Sequence, residues 1–259
     1  MTARLPISAV VITLNAERYL ESVLAPLRIC SDIVILDSGS RDRTRQIAQA
    51  AGARCFEHAF DGFGSQKRRA VGLATHDWVL SVDADELLDA EAAIGLASID
   101  WSGQDPATCW RILRRPFIGR REIRHGHWVP DYVIRVFNRQ RHGFSDAVVH
   151  ETVKATGIVR TLPGSLRHYS YVDLADLFRS AYHRLKVARY RAQGRRAGGA
   201  LLALRAAAVF LHSYVLRRGF LDGAAGVVVA LAGSVNSVVG LALAGEDEAE
   251  WLDEQASVQ

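Results

Sequence analysis

Trp78-Val-Leu-Ser-Val-Asp-Ala-Asp-Glu86 runs an apolar strand directly into two carboxylates separated by one small residue. On a strand alternate side chains share a face, so Asp83 and Asp85 can address one cation where the chain is still extended, and Ala84 keeps the position between them clear. Hard divalent ions such as Mg²⁺ or Mn²⁺ prefer carboxylate oxygens and leave coordination positions open to the phosphates of a substrate. A nucleotide diphosphate is the guest that such a strand end suits. Acidic residues also simply end strands and open solvated helices, so the reading turns on what comes before them.

What comes before is a βα array. Ile7 to Leu14 is a β-branched apolar run that stops at Asn15-Ala16-Glu17, after which Tyr19, Leu20, Val23, Leu24 and Leu27 recur at helical spacing. A second unit follows, with Ile33-Val-Ile-Leu36 ending at Asp37-Ser-Gly-Ser-Arg-Asp42 before a helix over 44–51. Ala53 to His58 reads as a third short strand and Gln66 to Ala74 as a helix leading into the acidic strand. The polar clusters fall at the C-terminal ends of strands, where open α/β sheets bind ligands. Asp37 can accept from a base or ribose donor there, while Ser38, Gly39 and Ser40 offer backbone N–H groups and room for close approach.

Four ordered segments, Val11-Ile-Thr-Leu-Asn-Ala-Glu17, Val34-Ile-Leu-Asp-Ser-Gly-Ser-Arg-Asp-Arg-Thr44, Gly64-Ser-Gln-Lys-Arg68 and Asp83-Ala-Asp-Glu86, resemble glycosyltransferase family 2, of the GT-A fold. The resemblance continues through Arg124-His-Gly-His-Trp-Val-Pro-Asp-Tyr132, Arg135-Val-Phe137, Val149-His-Glu151, His168-Tyr-Ser-Tyr171 and Gly219-Phe-Leu-Asp-Gly223, which look like the bacterial branch holding lipopolysaccharide core β-1,4-glucosyltransferases. It covers all but about the last dozen residues. The expected architecture is Rossmann-like α/β, a mixed and mostly parallel sheet flanked by helices, with a basic and apolar helical appendage.

The resemblance implies roles for matching positions. Thr13, Asn15, Glu17 and Asp37 would line a uridine pocket, with Asp37 the partner of the base and Ser38 and Gly39 beside it. Asp83 would face the ribose or the metal, with Ala84 alongside, and Asp85 would be the principal metal ligand. Lys67 would stand near the diphosphate, although the family more often has Arg-Asn where this chain has Lys67-Arg68. A single inverting displacement needs a carboxylate to deprotonate the acceptor hydroxyl while a metal stabilises the departing nucleoside diphosphate. Asp131 is the first candidate for that base and Glu151 the second. His150 is a further candidate metal ligand, and His168 could fill that place or bond the diphosphate. Trp128 and Tyr132 are candidate stacking platforms for the acceptor sugar, a position in which aromatic residues beside proline also pack.

Composition sets the outer limits. A chain of 259 residues with 49% hydrophobic and 23% charged residues can bury a full α/β core plus an appendage. Cys30, Cys55 and Cys109 are odd in number and widely spaced, which argues against a disulfide framework or zinc cluster and for reduced thiols. The N-terminus enters the first strand without the pattern of a signal peptide, so a cytoplasmic location is expected.

The second half changes character. Between Phe178 and Leu221 stand ten Arg or Lys residues and no Asp or Glu, so the net charge of +4 is a local property of this segment. An anionic partner is expected. No nucleic-acid module or stacking array is recognisable, and membrane phospholipid fits better. Ala200 to Leu216 is apolar with sparse cations, and Gly223 to Gly245 is uncharged but interrupted by Ser234, Asn236 and Ser237. A helix in the interface, or a helical hairpin, is expected rather than a span, on the inner face of the cytoplasmic membrane. A basic face on a dimerising helix is the competing reading and leaves a homo-oligomer open. Residues 1–172 are expected to form the catalytic domain, 173–245 the appendage and 246–259 an acidic tail.

The sequence therefore points to a metal-dependent transfer of a hexose from a UDP-sugar to a glycolipid or saccharide acceptor. A sugar-nucleotide nucleotidyltransferase would want a Gly-rich basic loop after its first strand, where this chain has Asn15-Ala-Glu17. A non-catalytic membrane adaptor would not need Asp37, Asp83, Asp85 and Asp131 together.

Overall fold

The computed structural model describes residues 4–145, 152–178, 190–191, 193 and 197–245. Two compact units emerge, one of Met1–Pro116 and Pro130–Ser170, the other of Phe117–Val129 and Tyr171–Gln259.

The first unit is built on β1 (Leu5–Thr13), α1 (Glu17–Leu27), β2 (Cys30–Asp37), α2 (Thr44–Ala50), β3 (Arg54–Glu57), α3 (Phe63–Gly72), β4 (Trp78–Asp83), β5 (Glu86–Leu88) and α4 (Ala90–Ala97). Strands β6 (Cys109–Ile118), β8 (Asp131–Asn138) and β9 (Val159–Tyr171) complete its sheet, and β7 (Arg121–Glu122) pairs with the end of β6. The strand order is β3-β2-β1-β4-β8-β6-β9-β5. Strands β3, β2, β1 and β4 are parallel, which is the βα array expected from the sequence. Beyond β4 the pairing turns antiparallel, with β8 against β4 and β6, and β5 against β9.

Strand β1 shows why its sequence is apolar without interruption. Ile7, Ala9 and Val11 pack with Leu20, Val23, Leu24 and Leu27 of α1, while Val10 packs on the other face with Ala70 and Val71 of α3. A central parallel strand covered on both faces needs apolar side chains at consecutive positions. Farther along the sheet, Trp78, Trp101 and Trp110 form a cluster with ring centroids 5.1 to 5.4 Å apart. Both Cys30 and Cys109 lie in this interior, where burial pushes their thiols up to about 12 and about 11; all three cysteines are free thiols.

Helix α4 and strand β9 lock together through one residue. Asp89 caps α4, accepting from Ala92 N at 2.9 Å and from Ser165 Oγ at 2.6 Å. Gly164, at φ +77°, passes so close that a Cβ there would lie 2.3 Å from Ala92 N.

In the second unit, helices α5 (Gly199–Leu211) and α6 (Ala224–Gly245) are joined by a π turn over His212–Leu216 and a 3-10 turn over Gly219–Asp222. The segment 124–129, which carries the His-Gly-His-Trp motif, belongs to this unit. Arg124 N and His125 N donate to Asp222 Oδ2, and His127 N donates to Ser213 Oγ. No residue of α5 is buried.

Candidate active site

Two loops form one wall of the site, at the C-terminal ends of β1 and β2. Asn15 adopts φ 49°, and its N–H donates to Ser40 Oγ while its Oδ1 accepts from Arg41 N. Ala16 N donates to Thr44 Oγ1, Glu17 N donates to Asp42 Oδ2, and Glu17 Oε2 accepts from the backbone and Nε of Arg43. These reciprocal bonds hold the two loops in register and satisfy the first N–H groups of α1.

Asp37 is the centre of that arrangement. Its Oδ1 accepts from Gly39 N and Ser40 N, and its Oδ2 from Thr13 Oγ1 and Ser40 Oγ. Those four donors fill the acceptor capacity of a carboxylate, and the residue is fully buried. In this structure Asp37 holds in place Thr13 and the 38–40 turn, where Gly39 has φ +93°, with both of its oxygens already accepting two hydrogen bonds each. Ser38 Oγ accepts from Gln66 Nε2 of α3, which ties that helix to the same turn.

The end of β4 separates the two expected metal carboxylates. Asp83 Oδ1 lies 2.6 Å from Lys67 Nζ, and Asp83 Oδ2 lies 2.8 Å from an Arg135 Nη2. Against the cost of burial, Arg135 and Lys67 hold the Asp83 carboxyl well below its usual range. With a cation on each oxygen, Asp83 stands in this structure as an ion-pair partner of Lys67 and Arg135, and a dication there would have to displace one of them.

Among the described residues Asp85 has no such cation on its carboxylate. Its carboxylate lies 3.6 Å from His168 Nε2, and its carbonyl accepts from Tyr169 N at 2.9 Å. The β5–β9 register sets this up by placing His168 opposite Glu86. Tyr169 in turn stacks on Tyr19 with centroids 5.1 Å apart. Among the described residues no group of three or more metal-ligating side chains converges. His168 Nε2 also stands 2.5 Å from Ser170 Oγ, so the carboxylate and imidazole could hold Mg²⁺ or Mn²⁺, which keep several positions for water and phosphate, only with that hydroxyl moved away. His150 and Glu151 lie outside the described residues.

From Asp83 an unbroken series of ion pairs leads to the first candidate base. Arg135 Nη2, paired with Asp83, also bonds Glu86 Oε1. Glu86 lies 3.4 Å from Arg114 Nη1, and Arg114 Nε and Nη2 bond Asp131 Oδ2 at 2.8 and 2.7 Å. Lys67 and Arg135 are 5% exposed and Glu86 is fully buried, so each must be paired to be tolerated. Burial lowers the affinity of Arg114 and Arg135 for their protons, but their carboxylate neighbours outweigh it and raise both guanidinium values. The β6–β8 register places Arg114 directly opposite Asp131.

The sequence assigns no site role to Glu86, Arg114 or Arg135, although Glu86 and Arg135 stand in segments that carry the family resemblance. One signal was present: Arg135 is a lone charge in the apolar run Val133-Ile-Arg-Val-Phe137, and a charge within a buried strand requires a counter-charge. The aromatic candidates have partners of their own. Tyr132 is 45% exposed with the Arg111 guanidinium 4.8 Å from its ring centroid. Trp128 belongs to the second unit, where it stacks on Tyr171 at 5.6 Å and 7°.

Residues 8–97 match the model of a family described as glycosyl transferase family 2. The chain is 30% identical over 249 residues to a lipopolysaccharide core biosynthesis glycosyltransferase, LpsC, of Rhizobium meliloti (strain 1021), covering 91% of this chain and 90% of that one. It is 28% identical to an uncharacterized glycosyltransferase of Rickettsia typhi over 86% of this chain and 80% of the relative. Among solved structures, a glucosyl-3-phosphoglycerate synthase from Mycobacterium tuberculosis, in complex with Mn²⁺, UDP and glucosyl-3-phosphoglycerate, aligns over 44% of each chain at 25% identity and a TM-score of 0.34.

Proposed function

The chain belongs to glycosyltransferase family 2, and from that premise we propose that it transfers a hexose, glucose in the first instance, from a UDP-sugar to a lipid-linked saccharide of the lipopolysaccharide inner-core type, inverting the anomeric centre. The observation that carries this reading is the division of labour at the end of β4. Asp83 holds the buried cation Lys67 beside the donor pocket, while Asp85 stands with His168 at a spacing that suits a divalent ion.

In this reading the β1 and β2 loops receive the uridine, with Asp37 setting their shape and Thr13, Asn15 and the 38–40 turn presenting polar groups. Lys67 faces the diphosphate. Asp85 and His168 would hold Mg²⁺ or Mn²⁺, whose charge would stabilise the departing diphosphate. Asp131 accepts the proton of the acceptor hydroxyl as that oxygen bonds to the anomeric carbon. The bond from that carbon to the diphosphate breaks with its electron pair, and UDP leaves. A single displacement of this kind inverts configuration.

The acceptor assignment is supported by the named relative LpsC, which is similar over nearly its whole length. The location we propose is the inner face of the cytoplasmic membrane. The segment 199–216 has a mean hydropathy of 1.6 with 6% of it buried, and 224–245 a mean hydropathy of 2.1. Leu201, Leu204, Leu211, Val215 and Leu216 all face outward, which favours a hairpin lying in the interfacial layer.

Calorimetric titration of UDP, UDP-glucose, UDP-galactose, UDP-N-acetylglucosamine and GDP-mannose, with and without Mn²⁺, tests the donor. Metal-dependent binding of a uridine donor, followed by release of UDP on adding a truncated core acceptor, is expected. Release of pyrophosphate from UTP and a sugar 1-phosphate, with no UDP released from any UDP-sugar, would instead identify a nucleotidyltransferase, and failure to bind any nucleotide would leave a non-catalytic adaptor.

A further inference from the structure

Six charged side chains in the first unit alternate in sign: Lys67, Asp83, Arg135, Glu86, Arg114 and Asp131. One end is the cation assigned to the donor diphosphate, and the other is the carboxylate assigned to the acceptor. The four members between them are buried or half-buried, so water screens the series weakly and each charge depends on its neighbours.

We propose that this series is a relay in which donor binding frees Asp131 for catalysis, with Arg114 as the positioning residue that holds it beforehand. This rests on the functional reading above. The sign follows from the alternation. A diphosphate draws Lys67 from Asp83, and Asp83 then binds Arg135 more strongly. Arg135 loosens its hold on Glu86, which takes up Arg114, and Arg114 releases Asp131.

The structure shows the arrangement in which Arg114 holds Asp131. Arg114 stands 3.4 Å from Glu86 but 2.7 and 2.8 Å from Asp131, so it favours the base over the buried carboxylate. In the donor complex these two preferences exchange. Acceptor deprotonation is thereby kept for the complex that holds a donor.

Coupling between two ends is reciprocal, so changes at the acceptor end must alter donor affinity in directions fixed by the same alternation. Asp131→Asn removes the charge that attracts Arg114. Arg114 moves to Glu86, Arg135 to Asp83, and Asp83 competes less with the diphosphate for Lys67, so UDP should bind more tightly. Arg114→Gln has the opposite effect. Glu86 then holds Arg135 alone, Asp83 holds Lys67, and UDP should bind more weakly. The double variant should match Arg114→Gln, because among the described residues Asp131 meets the series through Arg114 alone.

The test is UDP affinity with Mn²⁺ in the full-length protein, measured by calorimetry for wild type, Asp131→Asn, Arg114→Gln and the double variant, with circular dichroism as a check on folding. We expect Kd to fall about fivefold or more in the first variant and to rise about fivefold or more in the second. Arg114→Lys keeps the charge and should restore UDP affinity toward wild type, which also covers the case in which Arg114→Gln does not fold. A merely structural role would weaken binding in both single variants. Equal affinity in all folded variants, or weakening in both, overturns the relay and leaves the donor assignment standing. Absence of UDP binding in the wild type overturns both.

Discussion

Lys67 Nζ stands 2.6 Å from Asp83 Oδ1, so the first carboxylate of the Asp83–Asp85 pair is bound to a cation of the protein's own. The pair is therefore asymmetric. Sequence spacing alone offers both carboxylates to one metal ion, but only Asp85 lies outside the network of buried cations and next to an imidazole. Asp83 instead pairs with Lys67 and Arg135, two buried cations that are costly to leave without a counter-charge in the interior.

Metal-dependent binding should consequently divide between the two carboxylates. Asp85→Ala is expected to remove the Mn²⁺-dependent part of UDP affinity with little change in thermal stability. His168→Ala should weaken it by about 10- to 100-fold, within the range seen when a metal site loses a supporting group. Asp83→Ala should first lower the melting temperature, because it removes a counter-charge from two buried cations, Lys67 and Arg135. Calorimetry with and without Mn²⁺, paired with thermal unfolding, separates these outcomes. Unchanged Mn²⁺ dependence in Asp85→Ala would falsify the assignment.

Asp131→Asn keeps the size of the side chain and removes its basicity. Transfer should fall by about 10²- to 10⁴-fold, the contribution of a positioned base, while UDP still binds. A coupled assay of UDP release from UDP-glucose in the presence of acceptor reads the first quantity. Normal turnover would move the base elsewhere, with Glu151 the next candidate.

Much of this site was legible from the sequence because it sits where strands end. The β1, β2 and β4 termini, with Thr13, Asn15, Asp37, Asp83 and Asp85, follow from apolar runs that stop at polar clusters. What the sequence could not supply was pairing between distant segments. Glu86 and Arg135 are 49 positions apart, and their bond depends on an antiparallel β8 that has no local signature beside the parallel array. Asp37 shows the same limit. Its type and position mark a binding carboxylate, yet its four donors come from Thr13 and the 38–40 turn, an arrangement fixed only when two loops meet. The segment 117–129 likewise reads as part of the catalytic domain in sequence order, but clusters with the second unit.

A carboxylate far from the chemistry sets an acid limit on stability. Asp32 accepts from Ser8 Oγ at 2.6 Å, from Arg54 at 2.9 Å and from Thr75 N at 2.9 Å. Although burial works against it, these partners hold its carboxyl down to about 2. A depressed value in the folded state contributes stability above the unfolded value near 3.9, and that contribution is lost as pH falls from about 4 toward 2. Asp32→Asn should cost roughly 1–2 kcal/mol at pH 7, allowing for the partial exposure of Arg54. Urea unfolding of both proteins should show the gap closing on acidification; a gap independent of pH would mean that the ionised carboxylate is not its source.

Gly164 gives a purely steric prediction. Its backbone is left-handed, and a methyl group would meet Ala92 N at 2.3 Å and Asp89 Oδ1 at 2.5 Å. Gly164→Ala therefore combines backbone strain with overpacking at the start of α4, for a cost of about 3 kcal/mol. Denaturant unfolding measures it directly, and a loss below about 0.5 kcal/mol, the usual range for surface changes, would show that β9 moves aside freely.

The exposed leucines of α5 separate a lipid layer from a second protein copy as the partner of that face. Leu204 and Leu211 are 68% and 55% exposed, so Leu204→Glu with Leu211→Glu should leave folding nearly unchanged and UDP affinity intact. In an apolar layer a charged residue at the centre of a helix costs about 2.5–3.5 kcal/mol, enough to lower the vesicle-bound fraction severalfold or more. Flotation with vesicles of phosphatidylethanolamine and phosphatidylglycerol, at low and at high salt, reads this. Wild-type protein that floats at both salt concentrations is held by apolar burial, since salt screens attraction to anionic headgroups. Protein released by salt would place the hold on its arginines, and protein that never floats but elutes as a dimer, becoming monomeric in the double variant, would assign the face to a second copy.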